Sequence, residues 1–152
     1  MSARINFNEI PKNLMLSMMT VENYVNDSGF ESKLLELIRF RVSQINECAY
    51  CIDMHYKEAI AEGETPQRLY SIATWQEAPY YNDKEKSMLA WAESVSLPHR
   101  SSDQQSIYNN LLNHISQQDI ANFTLAVIQI NSWNRLAKSF GFEAGQYQVG
   151  QH

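Results

Sequence analysis

A chain of 152 residues with 44% apolar and 19% charged side chains can bury a hydrophobic core and has neither a disordered nor a membrane-embedded composition. Its formal net charge is −5 and its 12 basic residues are scattered, which argues against a surface for nucleic-acid phosphates. The opening MSARINFNEIPK lacks the apolar run of a signal peptide, and no stretch approaches the roughly 20 apolar residues of a membrane span, so a cytoplasmic location with no membrane partner is expected.

In chain order the pattern reads as helix after helix, without repeats, low-complexity runs or sustained period-2 alternation. A first helix is expected from about Pro11 to Asp27, with the proline in its first turn and Gly29 past its end. A second carries Leu34, Leu35, Leu37, Ile38 and Val42 between about Glu31 and Gln44. Asn46 is the expected N-cap of a third, which Gly63 ends. Thr65-Pro66 starts a short helix toward Thr74, and Asn82 to Glu85 has the form of a capping box for a helix through Ser96. Ser101 or Ser102 begins the next, through about His114, and Ser116 caps a last long helix reaching Ser139. The sum is a compact all-α domain of about seven helices and no sheet, one unit over 1–152, with its core in 7–141 and a polar tail, 142–152, expected to be mobile.

The chain's two cysteines sit together in ECAYCIDMHYKEA, residues 47–59. A loop this short removes little chain entropy, so CxxC in a reducing compartment points to redox chemistry or metal binding rather than a staple. On a helix, Cys48 and Cys51 lie one turn apart on one face, and His55 follows at i+4 from Cys51 on that same face. A helix N-terminus favours the thiolate, and an imidazole near neutral pH can take its proton. Such a base needs an orienting partner, and Glu36 on the preceding helix is the candidate, although a solvated face could also hold it. Glu47, Asp53, Lys57 and Glu58 read as solvated charges.

Zinc is the competing reading: Cys48, Cys51 and His55 could supply three ligands, as in a catalytic site, and a structural site would need a fourth from His99, His114 or His152. A third possibility is a redox sensor that forms the disulfide without turnover. Elsewhere, the Met-rich LMLSMM at 14–19 reads as core or subunit interface, and Trp91 and Trp133 as packing residues whose N–H needs a partner. Tyr80-Tyr81 suits a pocket rim or an interface equally.

The segment LLELIRFRVSQINECAYCIDMHYKEA, residues 34–59, closely resembles the core of the AhpD-like alkylhydroperoxidases within the carboxymuconolactone decarboxylase superfamily. INSWNRLAKSF, residues 130–140, resembles that group's final helix, and the likeness spans roughly residues 7 to 141. It implies a thiol-dependent peroxidase that reduces organic hydroperoxides and needs no metal or organic cofactor, its electrons coming from the Cys48–Cys51 pair. By resemblance Cys51 is the peroxidatic residue, Cys48 the resolving one, His55 their base and Glu36 the residue that holds His55. The resemblance also implies a dithiol, lipoyl-protein or thioredoxin-like reductant and a homo-oligomer, commonly a trimer or hexamer. Tyr50 stands where the best-known members carry a second histidine, so it is a relay position without a base. The superfamily's lactone decarboxylases do not depend on a CxxC pair, which weighs against that activity here.

Overall fold

The computed structural model describes residues 3–99 and 103–151. Among them there are seven α-helices and no strand: α1 (Lys12–Asn26), α2 (Ser32–Ile45), α3 (Ala49–Ala61), α4 (Pro66–Ser71), α5 (Asp83–Ser96), α6 (Gln104–Leu112) and α7 (Gln117–Phe140). The all-α expectation holds. None of the described helices is long and apolar enough to cross a membrane.

Local chemistry sets most of the helix starts. Asn82 Oδ1 accepts the Glu85 backbone N–H at 2.9 Å while Glu85 Oε2 accepts that of Asn82 at 2.9 Å, a complete capping box for α5. Ser116 and Asp119 do the same for α7. For α6 the cap is Asp103, whose Oδ1 accepts the Ser106 N–H at 3.0 Å. The expected start at Ser101 or Ser102 lies outside the described residues.

Helix α2 is buried from Leu35 to Phe40 without interruption and packs against α3, α5 and α7. A helix apolar nearly all round belongs in the centre of a bundle rather than on its surface. Two of the six residues in that run, Glu36 and Arg39, are charged. Helix α7 is the other central element, touching α1, α2, α3, α5 and α6. Trp91 and Trp133 pack as expected, their indole N–H groups donating to Thr124 Oγ1 and Glu22 Oε2 at 2.9 and 2.8 Å.

The junction between α2 and α3 differs from the expectation. Asn46 does not open α3; it closes α2, and Cys48 is the N-cap of α3. Glu47 adopts φ 53°, and the bonds Glu47 N–H to Gln44 O and Cys48 N–H to Ser43 O, each 3.0 Å, form a Schellman turn. The side chain of Asn46 is used elsewhere, donating at 2.9 Å to Asn131 Oδ1 and to Asn134 Oδ1 on α7. Asn134 in turn donates to Ser43 Oγ at 3.0 Å, and Lys138 Nζ to Asn46 O at 2.8 Å. Helix α7 thus clamps the turn that leads into the CxxC pair.

The C-terminal tail also departs from the expectation, being docked rather than loose. Tyr147 is 4% exposed and its hydroxyl donates to Glu58. Gly145 N–H donates to Asp53 Oδ2 and Lys57 Nζ to Tyr147 O, both at 3.0 Å. Asp53, Lys57 and Glu58 fall on one side of α3, so residues that read as solvated charges instead satisfy the tail's backbone.

A left-handed backbone costs an L-residue roughly 1 kcal/mol, part of which glycine's greater unfolded-state entropy would offset. Glu47→Gly is therefore expected to raise stability by about 0.5 kcal/mol and Glu47→Val to lower it by more than about 1 kcal/mol. Thermal unfolding of the two variants beside the parent checks this; an unchanged Val variant would count against the strained turn.

Candidate active site

The two cysteines are joined, with a Cα–Cα distance of 5.3 Å, and both are buried, at 1% and 2% exposure. As N-cap, Cys48 directs its sulfur at the first turn of α3, where it accepts the Cys51 backbone N–H at 3.4 Å. The pair lies against Ala137 of α7, under the rings of Tyr50 and Phe142. Those rings meet edge to face at 5.4 Å, and Phe142 stacks on Phe7 at 4.3 Å.

His55 follows Cys51 by one turn and is 5% exposed. Its Nδ1 is 2.7 Å from Glu36 Oε2, while Arg39 Nη1 donates to Glu36 Oε1 at 2.7 Å. Burial, the largest influence on the Glu36 carboxyl, works to raise it. The charge attraction and hydrogen bond of His55, followed by those of Arg39, outweigh burial and hold the carboxyl at about 2, against an ordinary 4.5. Glu36 is thus an acceptor only at neutral pH, so a neutral His55 carries its proton on Nδ1 and keeps the lone pair on Nε2. That Nε2 is buried and has no hydrogen-bond partner.

Glu36, Tyr50, Cys51 and His55 line one cavity of about 540 Å³, with Met15 and Met19 of α1 in its wall. Cys51 lines the cavity and Cys48 does not. Burial and the Asp53 charge push the Tyr50 phenol up, which keeps it protonated at neutral pH and removes it as a base. His99 and His114 join no ligand set, since among the described residues no group of three His, Cys, Asp or Glu is arranged to hold a metal ion. The remaining zinc candidate, His152, lies outside the described residues. With their sulfurs bonded to each other, Cys48 and Cys51 are not thiolate donors in this state.

Several residues of the site were not singled out from the sequence. Arg39 donates through Nη2 to Glu22 and to Asn26 Oδ1 as well as through Nη1 to Glu36, and Glu22 also accepts from Trp133. The signal available was the i, i+3 spacing of Glu36 and Arg39 within an aliphatic helix, where two charges at this spacing can pair. No local signal marks Phe142 or Tyr147, which reach the site from the tail.

The depressed Glu36 carboxyl makes acid stability a readout of the pair. Its folded pKa lies below its unfolded one, so its contribution is fully present above about 4.5 and is lost as pH falls toward about 2. Glu36→Gln is expected to flatten the acid limb of the stability curve across that window, by an amount on the order of a few kcal/mol. Denaturant unfolding at a series of pH values checks it, and parallel curves for variant and parent would contradict it.

Four similarities bear on this geometry. The family model for the carboxymuconolactone decarboxylase family matches residues 12–94. The chain is 37% identical over 144 residues to the uncharacterised protein YdfG of Bacillus subtilis (strain 168), covering 95% of this chain and 98% of that one. It shares 33% identity and a TM-score of 0.90 with a crystal structure from Agrobacterium tumefaciens described as a protein of unknown function and putative antioxidant defence protein AhpD, covering 96% of this chain and 100% of that one. The debrominase Bmp8, whose structure in complex with 2,3,4-tribromopyrrole is known, is 15% identical with a TM-score of 0.78 over 88% of this chain and 72% of its own, a likeness of fold alone. On the family match and the near full-length likeness to YdfG, the chain belongs to the carboxymuconolactone decarboxylase family.

Proposed function

We propose that the chain is a thiol-dependent peroxidase that reduces organic hydroperoxides, cycling Cys48 and Cys51 between dithiol and disulfide. The observation that carries this reading is the His55–Glu36 pair one turn from Cys51, buried and with His55 Nε2 open beside the cavity. A peroxide-reducing thiol needs a base that is oriented, dry and within one turn of the sulfur, and these residues meet that need.

In the reduced state His55 Nε2 takes the Cys51 thiol proton, directly or through one water. The thiolate attacks the terminal oxygen of ROOH and the O–O bond breaks. The alkoxide leaves as ROH with the proton from His55, and Cys51 becomes a sulfenic acid. The Cys48 thiol then displaces hydroxide from that sulfur, giving the disulfide and water. A dithiol resets the pair by attacking Cys51, the cysteine that lines the cavity. Cys48 leaves as a thiolate, with the Cys51 N–H already directed at its sulfur. A small dithiol, a lipoyl-bearing protein or a thioredoxin-like protein fits that step. Exposed Leu16, Tyr24 and Ile128, on α1 and α7, support assembly into a homo-oligomer.

One observation favours a second reading, thiol–disulfide exchange without a peroxide. Tyr50 occupies the position next to Cys51 and offers no second base. Single-turnover oxidation separates the two. Fully reduced protein mixed with stoichiometric cumene hydroperoxide is expected to lose both thiols within seconds. Cys51→Ser is expected to abolish the reaction, Cys48→Ser to stop at the sulfenic acid, and Glu36→Gln to slow it by roughly 10²–10⁴-fold. Thiols that survive for hours would instead favour exchange or redox sensing.

A further inference from the structure

The cavity beside Cys51 is far larger than a small peroxide requires. At about 540 Å³ it falls within the range of sites for drug-sized ligands, roughly 300–1,000 Å³, whereas a water occupies about 30 Å³. Its walls include Met15, Met19, Leu35, Met54, Ile130 and Trp133. Several of these are long, flexible or planar side chains that adapt to bulky apolar guests.

Its charge is lopsided. Four carboxylates line it, those of Glu22, Glu36, Glu58 and Glu62, against a single cationic side chain among the described lining residues, Arg39. Counting these carboxylates and this guanidinium alone, four negative charges and one positive leave −3. Arg39 is also fully engaged, Nη1 with Glu36 and Nη2 with Glu22 and Asn26, so its guanidinium is not offered to a guest. An anion entering would meet carboxylates at the rim and no free donor cation inside. In a partly dry cleft such repulsion is felt strongly, because low-dielectric walls focus the field.

We propose that this cavity binds a bulky, uncharged, apolar molecule and rejects anionic ones, so that the hydroperoxide delivered to Cys51 is a neutral one. The statement about the hydroperoxide rests on the peroxidase reading above; the statement about binding does not.

Two dyes with the same ring system separate the charge effect from shape: neutral N-phenyl-1-naphthylamine and its sulfonate, 8-anilinonaphthalene-1-sulfonate. Titrated into the oxidised protein, the neutral dye is expected to bind at least about tenfold more tightly, equivalent to about 1.4 kcal/mol. The gap is expected to narrow with added salt and in Glu62→Lys, a reversal at an exposed rim position. Met15→Trp, which narrows the cavity from a half-buried wall position, is expected to weaken the neutral dye. Equal or tighter binding of the sulfonate, no binding of either dye, or indifference to Met15→Trp would each overturn the proposal.

A chemical arm compares single turnover of cumene hydroperoxide with its ring-carboxylated analogue, the neutral compound being expected to react at least about tenfold faster. If the dyes follow the expected pattern but neither hydroperoxide is reduced, the binding proposal stands and the peroxidase reading falls. If the carboxylated analogue reacts as fast as the neutral one, the charge discrimination falls and the peroxidase reading stands.

Discussion

The structure is organised around one costly placement, the ionised carboxylate of Glu36 in the middle of the most deeply buried helix. A charge removed from water is tolerated only when its lone pairs are taken up by hydrogen-bond donors, and both of its oxygens are so satisfied. Arg39, one turn along α2, neutralises one side, and His55 on α3 takes the other. Arg39 must then be balanced in its turn, which brings in Glu22 from α1, itself fixed by Trp133 from α7. Four helices are thus each tied to the next by a charged or polar contact that begins at one carboxylate. The imidazole at the end of this chain inherits a fixed orientation, because the residues behind it have little freedom to rearrange.

The second constraint is the sharp passage from α2 to α3. The Schellman turn brings α3 back beside α2, so that Glu36 near the start of one helix meets His55 in the middle of the other. The turn is held from outside by asparagines and a lysine of α7. The segment 130–140 that resembles the family's final helix therefore has a structural reason for its polar residues. They clamp the backbone that presents the sulfurs.

Much of this was legible in the sequence because it depends on short-range chemistry. The capping boxes at Asn82 and Ser116, the aliphatic run of α2 and the one-turn spacings of Cys48, Cys51 and His55 are all local patterns that place residues on a helix. What escaped depends on contacts between distant segments. Asn46 looks like a cap in isolation, yet its side chain is drawn away by Asn131 and Asn134, some 85 and 88 residues along the chain, leaving the cap to Cys48. Asp53, Lys57 and Glu58 look solvated until the tail folds onto them. A polar, glycine-containing tail reads as loose, but its glycines allow the turns that carry Tyr147 into a buried position. The partnership of Glu36 with His55 was an even choice between a solvated face and a buried pair, and only the packing of α2 decides it.

The double duty of Cys48 has a consequence for how this fold can change over evolutionary time. One residue closes α2 with its backbone N–H and opens α3 with its side-chain sulfur. Serine, whose oxygen is among the preferred N-caps, could replace it with the junction kept whole. A lineage can therefore shed the second sulfur and with it the two-electron cycle while the scaffold, the cavity and the buried base persist. The same framework is in this way open to descendants that keep a single reactive thiol and turn the cavity to other chemistry.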